Sequence, residues 1–249
     1  MLLQLSDVRK SYRDNVVLHG ASLSLAEGEL VGMIGPNGAG KSTLFGTISG
    51  EHRCDAGKVL LDGADITSLS AEQRCWAGIG RTFQIPRPFL GITVYENALV
   101  AATFGAGLHG RAAAIQAVDA IHQCGLAAWA NRPAAQLTLL QRKRLELARA
   151  IATRPRLLLL DEIAGGLTDG EVAELLLLVQ SINRTGTAVL WIEHLVHALV
   201  AVVSRLVVLS EGRILDEGDP QTVLNSRLVR ETYLGSDPAL DMESDHAAR

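Results

Sequence analysis

Apolar and polar positions alternate with a period of two at the start of the chain. Leu3, Leu5 and Val8 are predicted to face one way, and VVLHGASLSL continues the strand pattern after the polar turn SYRDN. The apolar segment LVGMI, 30–34, is typical of a strand buried on both faces. A glycine-rich loop and the helical segment STLFGTISG follow, and KVLLD, which runs into the turn Asp62-Gly63, predicts another strand. The first part of the chain is therefore predicted to be β-rich around one strand–loop–helix unit.

The pattern changes twice after this region. Residues 94–151 are alanine-rich and helical in pattern, with no predicted strand, which indicates an inserted helical subdomain. Strands are then predicted at 157–160, 187–192 and 205–210, with helices at 171–182 and 194–203 between them. This alternation predicts a parallel sheet covered on both faces. The acidic, non-periodic end of the chain, 236–249, predicts a loose tail.

Length and composition fit one large domain. The chain has 249 residues, of which 48% are hydrophobic and 20% charged, enough to bury a sizeable core. The net charge of -4 argues against nucleic acid as the main ligand. The most apolar stretch, 190–210, contains two histidines, a glutamate and an arginine, so it is not expected to cross a bilayer. The N-terminus turns polar too early for a signal peptide, so the chain is predicted to be soluble and cytoplasmic. Three cysteines without paired spacing are predicted to stay reduced: Cys54, Cys75 and Cys124.

The segment GPNGAGKST, 35–43, carries the strongest chemical signal. It satisfies G-x-x-x-x-G-K-[ST], follows a predicted strand and opens a predicted helix. Its glycines let successive backbone N–H groups curl around an anion, and the helix N-terminus adds positive charge. Lys41 is predicted to neutralise the β- and γ-phosphates, and the Ser42 hydroxyl to ligate Mg²⁺. The predicted ATP-binding residues of the loop are Gly35, Asn37, Gly38, Ala39, Gly40, Lys41, Ser42 and Thr43.

The segment LLLLDE, 157–162, places two carboxylates where a buried strand ends. Ligands bind at that edge of an open parallel sheet, so Asp161 is predicted to hold Mg²⁺ and Glu162 to orient or deprotonate the attacking water. A strand followed by an acidic helix cap is the alternative. Together the two segments predict a P-loop NTPase, and the lack of an NKxD-type motif disfavours a GTPase.

The rest of the chain resembles the ATP-binding cassette (ABC) family over nearly its whole length. Tyr12 stands where that family has an aromatic residue that stacks on adenine, and Gln84, in GIGRTFQ, matches its glutamine that senses Mg²⁺ and water. The segment 137–151, LTLLQRKRLELARAI, resembles the LSGGQ signature, so the resemblance implies nucleotide contacts by Thr138 and Gln141. His194 matches the switch histidine. Each has an alternative: a surface aromatic for Tyr12, an ordinary loop glutamine for Gln84, and a satisfied core histidine for His194.

This resemblance implies the architecture. The fold class is α/β, a P-loop NTPase of ABC type with a parallel-sheet core, an N-terminal antiparallel β subdomain and an inserted α-helical subdomain. One domain covers 1–249, with the core in 1–93 and 152–235 and the signature subdomain in 94–151. One chain has a single P-loop and a single signature, and the family sandwiches ATP between the two from different cassettes. A dimer is therefore implied, either of two copies of this chain or of this chain with a related cassette.

Two departures from the family pattern stand out. Leu139 and Leu140 replace the signature glycines, and Thr168 replaces the aspartate that usually ends the loop after the LLLLDE strand. We expect Thr138 to be an N-cap and both leucines to have helical φ, because positive φ would strain them. The basic run 141–156 is interpreted as a solvated helix face, since no aromatic residue is interleaved for base stacking.

The segment 78–101 is similar to the ATPases of high-affinity branched-chain amino-acid importers. That resemblance implies an ATPase at the cytoplasmic face of the membrane, with a second ABC ATPase subunit, two permeases and a periplasmic binding protein. The substrates implied are branched-chain or other hydrophobic amino acids or small amides. A soluble ABC ATPase of DNA repair or translation, and a weakly hydrolysing regulatory cassette, are the alternatives.

The apolar tract 86–94 is predicted to dock the permease. It clusters Phe89, Leu90, Ile92 and Val94 with two prolines in one loop. Burial of these side chains against the helical subdomain is the alternative.

Overall fold

Two sheets, one antiparallel and one mainly parallel, organise residues 1–233, the part of the chain that the computed structural model describes. The antiparallel sheet has the order β2-β1-β4-β5, with β1 (Leu3–Tyr12), β2 (Asn15–Leu25), β4 (Ala56–Leu61) and β5 (Ala64–Asp65). The second sheet has the order β10-β9-β3-β8-β7-β6, and β10 pairs antiparallel with β9. Its strands are β3 (Leu30–Ile34), β6 (Ile79–Arg81), β7 (Leu157–Asp161), β8 (Ala188–Ile192), β9 (Arg205–Ser210) and β10 (Arg213–Gly218). The predicted α/β class and its two kinds of sheet are confirmed.

Alternation along the parallel strands divides the interior into two cores. In β7, Leu158 and Leu160 pack with the helical region, whereas Leu157 and Leu159 pack with the antiparallel sheet. Every residue of β3, β7 and β8 is buried, because both faces of the sheet are covered. Because both faces are buried, these strands are apolar at nearly every position and do not alternate with polar residues.

A β-bulge explains the spacing of the first strand. Leu3, Leu5 and Val8 are all buried, although a spacing of three would turn Val8 to the opposite face of a regular strand. Asp7 has φ 48, and the register with β2 shifts between Leu5 and Val8. The extra residue restores Val8 to the core side.

Helices cover both sheets. Those of the inserted region are α3 (Val94–Val100), α4 (Gly110–Gln123) and α5 (Leu139–Ala152), with a π-helical turn at Ala101–Gly105. Within 94–151 no strand forms, and Pro133 makes only an isolated bridge to Thr93. Thr168 caps the start of α6 in a capping box with Glu171. The remaining helices are α1 (Lys41–Ser49), α2 (Ala71–Trp76), α6 (Asp169–Asn183), α7 (Val196–Val200), α8 (Pro220–Asn225) and α9 (Arg227–Tyr233).

Three details differ from the sequence predictions. The helix predicted at 194–203 is limited to α7, because the chain must turn there to enter β9. β6 and β10 were not predicted. The interpretation of the basic run 141–156 as a solvated helix face is wrong for Lys143, which is 4% exposed. Arg154 and Arg156 are exposed as expected.

The three cysteines are free, and no helix in 1–233 is both long and apolar enough to cross a membrane. The predicted tail, 236–249, lies outside the described residues.

Candidate functional site

A cavity of about 340 Å³ opens at the loop between β3 and α1. Gly38 and Gly40 have φ 81 and φ 100, so the loop curls with its amides toward the cavity. Gly40 caps α1 without a side-chain hydrogen bond, which leaves the first-turn N–H groups available to an anion. The cavity is lined by Asn15, Val17, Asn37, Gly38, Ala39, Gly40, Lys41, Ser42, Thr43 and Glu162.

Gly35 supports the loop from below instead of lining the cavity. A Cβ on Gly35 would lie 2.0 Å from the carbonyl oxygen of Leu209 in β9, so only glycine fits this approach. The carbonyl oxygens of Gly35 and Pro36 accept hydrogen bonds from Lys41 Nζ at 2.6 Å and 3.1 Å. Burial lowers the pKa of Lys41, and the two carboxylates at the end of β7 oppose that shift. The ammonium group therefore stays next to the place where phosphate charge would sit.

Three residues predicted to be catalytic meet at the edge of this cavity. Glu162 accepts a hydrogen bond from the Gln84 side-chain amide, and its other carboxylate oxygen lies 2.8 Å from His194 Nε2. The Glu162 backbone N–H donates to the carbonyl of Ile192 at the end of β8. A carboxylate held from two sides at the cavity is well placed to orient a water molecule beside a phosphate.

Asp161 forms a buried ion pair that the sequence analysis did not identify. Arg81, in β6, donates to Asp161 at 3.2 Å, and to Ser49 Oγ at 3.0 Å and Glu51 at 2.8 Å. Burial raises the pKa of Asp161, and the Arg81 guanidinium partly opposes the rise. β6 is the parallel neighbour of β7, so the arginine of GIGRTFQ reaches the same sheet edge. Because β6 was not predicted, no sequence signal placed Arg81 at this edge.

The oxygen donors at this edge fit Mg²⁺. Ser42 lies in the first turn of α1, and the buried Asp161 ends β7. The Gln84 amide nitrogen donates to Glu162, so its carbonyl oxygen is the ligand that Gln84 offers. No cluster of three or more His, Cys, Asp or Glu side chains within 1–233 could hold a metal ion. Mg²⁺ is usually held by a few protein oxygens together with substrate phosphates, so phosphate oxygens would complete this ligand set.

A second buried carboxylate, Glu193, directly precedes His194 in the chain. Glu193, 4% exposed, accepts hydrogen bonds from the Ala164 N–H at 2.8 Å and from Trp191 Nε1 at 3.1 Å. Burial raises the pKa of Glu193. Lys143, on α5, also faces this region: burial lowers its pKa, and the charges of Glu193 and Glu162 oppose that shift. These charges couple α5 to the segment that bears His194.

Tyr12 stands beside the cavity and not among its lining residues. Its ring makes an edge-to-face contact with His52, with centroids 5.6 Å apart, and Lys10 Nζ lies 5.4 Å from its centroid. Tyr12 pairs across the β-hairpin with Asn15, and Asn15 and Val17 do line the cavity. The sequence analysis missed these two residues, because neither carries a chemical signature.

The signature residues lie away from the P-loop cavity of their own chain. Thr138 is the N-cap of α5, and Thr138 and Gln141 bond each other in a capping box. Leu139 and Leu140 are helical with negative φ, which confirms the prediction that these leucines avoid the strain of positive φ. Leu139 is 44% exposed, and its side chain lies beside Gly166 of the loop after β7.

The apolar tract 86–94 divides between surface and core. Phe89 is 49% exposed and Leu90 50% exposed, whereas Val94 is fully buried at the start of α3. Docking is therefore ruled out for Val94, where burial was the correct interpretation. The buried Asn97 side chain fixes the backbone of Phe89. Its Oδ1 accepts a hydrogen bond from the Phe89 N–H at 2.8 Å, and its Nδ2 donates one to the Phe89 carbonyl oxygen at 3.0 Å. Arg149 lies over the Phe89 ring.

Comparisons with known proteins agree with this arrangement. The ABC transporter family matches residues 18–165. BraF of Pseudomonas aeruginosa, a high-affinity branched-chain amino acid transport ATP-binding protein, is 34% identical over 94% of this chain and 98% of its own. LptB of Haemophilus influenzae, a lipopolysaccharide export system ATP-binding protein, is 32% identical over 94% of this chain and 97% of its own. The ADP conformation of MJ1267, an ATP-binding cassette of an ABC transporter, superimposes with a TM-score of 0.85 at 28% identity, covering 94% of this chain and 99% of that one.

Proposed function

The chain belongs to the ABC transporter family as an ATP-hydrolysing cassette, and from this premise we propose that it drives import of branched-chain or other hydrophobic amino acids or small amides. Its role in ATP hydrolysis is supported by one observation: the Glu162 carboxylate lines the P-loop cavity and is held there by contacts with Gln84 and His194. The substrate class rests on the similarity to BraF over 94% of this chain.

Each cluster residue has a proposed role. Glu162 accepts the proton of the attacking water, and His194 and Gln84 orient its carboxylate. Lys41 binds the β- and γ-phosphates together with the P-loop amides. Ser42, Asp161 and Gln84 would hold Mg²⁺, which supplies charge neutralisation at the phosphates when bound with ATP. Tyr12 stacks on adenine, while Thr138 and Gln141 contact nucleotide held by the partner cassette.

The permease is proposed to dock at the cleft between the core and the helical subdomain. This cleft, about 220 Å³, lies between Ser49 and Arg81 of the core and Glu146 and Arg149 of α5. Phe89 and Leu90 lie exposed on the neighbouring tract. Half-exposed apolar side chains beside a charged cleft suit an amphipathic cytoplasmic segment of a membrane protein.

A second candidate function is energising a lipid exporter. The similarity to LptB over 94% of this chain favours it, and the P-loop site suits either direction of transport. The two candidates differ in the permeases and in the molecule that stimulates ATP hydrolysis.

Reconstitution tests the proposal. The tagged chain is purified from membranes with its associated permeases and binding protein, placed in proteoliposomes, and assayed for ATP hydrolysis with leucine, isoleucine, valine, acetamide or lipopolysaccharide. We expect stimulation by an amino acid or the amide and none by lipopolysaccharide. Phe89→Asp should lose permease association while the isolated subunit still binds ATP, since a charge at the docking tract opposes burial. Stimulation by lipopolysaccharide alone would replace the import proposal with the export one.

A further inference from the structure

Arg81 belongs to two sites at once. Its guanidinium lines the cleft between the core and the helical subdomain, and it also bonds Asp161 at the edge of the nucleotide cavity. The side chains of Arg81 and Asp161 are 11% and 9% exposed, so this ion pair is largely shielded from solvent. Among the residues that line the cleft within 1–233, Arg81 is the one that hydrogen-bonds a carboxylate of the proposed Mg²⁺ site.

The contacts of the guanidinium are divided between the two sides. One terminal nitrogen, Nη2, faces Asp161, and the other, Nη1, faces Ser49 and Glu51 on the cleft wall. The third nitrogen, Nε, is buried without a hydrogen-bond partner in the described residues. A buried donor left unpaired is unfavourable, so an arrangement that pairs Nε would offset the loss of another Arg81 contact. A planar guanidinium can bridge two carboxylates in this way, whereas an ammonium is a point charge.

The same side chain also contacts the segment that leads to Gln84. The Arg81 guanidinium lies 5.2 Å from the centroid of the Phe83 ring, and the Arg87 guanidinium lies 4.7 Å from it. Phe83 lines the cleft as well, and Gln84 follows it directly. A shift of Arg81 would therefore change its contacts with Asp161 and with Phe83, the residue before Gln84.

We propose that Arg81 is a positioning residue that couples the inter-subdomain cleft to the nucleotide site, through its simultaneous contacts with Glu51 and Asp161. Nucleotide binding beside Asp161 alters the Arg81 contacts and thereby the cleft wall, and a segment in the cleft acts in the reverse direction, because coupling between two sites is reciprocal. The identity of that segment rests on the proposed docking of a permease. The coupling itself is a property of the single chain.

Hydrogen exchange on the isolated full-length chain tests this coupling. Exchange is measured with and without saturating Mg²⁺-ADP for the P-loop and for the cleft segments 49–55 and 80–83, which leave out Gln84 of the nucleotide site. In the unaltered chain, we expect nucleotide to change exchange in both places. Arg81→Met should keep the change at the P-loop and lose about half or more of the change in the cleft segments, because the link between the sites is removed. Equal nucleotide-dependent changes in both proteins would overturn the proposal.

Two further variants sharpen the test. Arg149→Met removes another cleft arginine, which bonds Glu146 and the Arg87 carbonyl but not Asp161, so its nucleotide-dependent cleft changes should match those of the unaltered chain. Glu51→Gln weakens the Arg81 contact from the cleft side at a partly exposed carboxylate, and it should reduce the coupling even if Arg81→Met does not fold. Full coupling in Glu51→Gln would count against the proposal. No permease is present, so failure here leaves the proposed transport function standing, and failure of reconstitution leaves the coupling standing.

Discussion

Glu162 combines backbone strain with side-chain restraint at a single position. Its φ of 47 lies in the left-handed region, which costs a non-glycine residue about 1–3 kcal/mol. The backbone N–H compensates by bonding the Ile192 carbonyl at 2.9 Å. This conformation turns the carboxylate to Gln84 and His194 instead of continuing the line of β7. Strain at a restrained polar residue is a common feature of functional sites, and here it gives Glu162 one orientation before any substrate arrives.

Replacement of that carboxylate tests its chemistry. Glu162→Gln preserves the size of the side chain and can still bond Gln84 and His194, but it cannot accept a proton. We expect ATP hydrolysis to fall by about 10²–10⁴-fold, the usual loss of a general base, while ATP affinity in calorimetry stays close to that of the unaltered chain. Lys41→Ala is the opposite control, since it should lose ATP binding itself. A Glu162→Gln variant that hydrolyses ATP at nearly the original rate would remove Glu162 from its proposed role.

Arg205 joins the starts of two strands, β9 and β3, to the end of a third, β2. It opens β9, donates to both carboxylate oxygens of Glu29 just before β3, at 2.6 Å and 3.1 Å, and donates to the Ser24 carbonyl of β2 at 2.6 Å. Desolvation raises the pKa of Glu29, but the hydrogen bonds from Arg205 and the Ala26 N–H outweigh it and leave the pKa below its usual 4.5. The ionised form of Glu29 therefore stabilises the junction of the two sheets.

This junction predicts a pH-dependent stability difference. Glu29→Gln should lower the free energy of unfolding at about pH 7 by about 1–3 kcal/mol, because a charge-assisted bidentate pair is lost. The pKa of Glu29 is lower in the folded state than in the unfolded state. The stability difference between the two proteins should therefore be fully present above pH 4.5, and it should disappear as the pH falls through the lower pKa of the folded state. Urea unfolding at several pH values measures it. Glu217→Gln, at a 46%-exposed partner of the same arginine, is the control and should cost at most about 1 kcal/mol. A pH-independent difference would contradict this account.

The sequence predicted elements well where one pattern decided them. LVGMI contains no polar side chain, LLLLD is apolar up to its last residue, and both form buried strands; the P-loop context was correct on both sides. β6 was missed, because a three-residue strand containing Gly80 and Arg81 has no hydrophobic periodicity and is stabilised by pairing with β7. The burial of Lys143 was missed for a related reason. A helix pattern identifies an apolar face, but the acidic surroundings of Glu193 and Glu162 come from segments distant in sequence.

At the scale of the whole molecule, the two halves of the predicted ATP site are separate. The P-loop residues and Glu162 surround one cavity, whereas Thr138 and Gln141 lie at the start of α5, outside its lining. We therefore expect two copies to assemble so that α5 of each copy presents its first turn to nucleotide on the other.

Complementation between two inactive variants tests this arrangement most directly. Lys41→Ala removes the P-loop half of a site, and Thr138→Arg should block the signature half by crowding the phosphate, while leaving ATP binding by its own P-loop. Each variant alone has no complete site in any dimer. A mixed dimer has one site made from the intact Lys41 of one copy and the intact Thr138 of the other. Equal mixing of the two proteins should thus restore ATP hydrolysis to at most roughly one quarter of the original rate, because half of the dimers are mixed and each contains one functional site of two. The Lys41→Ala/Thr138→Arg double variant, mixed with the Thr138→Arg variant, provides the control, since no dimer in that mixture contains a complete site. Two inactive proteins that stay inactive together, although both fold and the Thr138→Arg variant binds ATP, would show that copies of this chain do not share their sites.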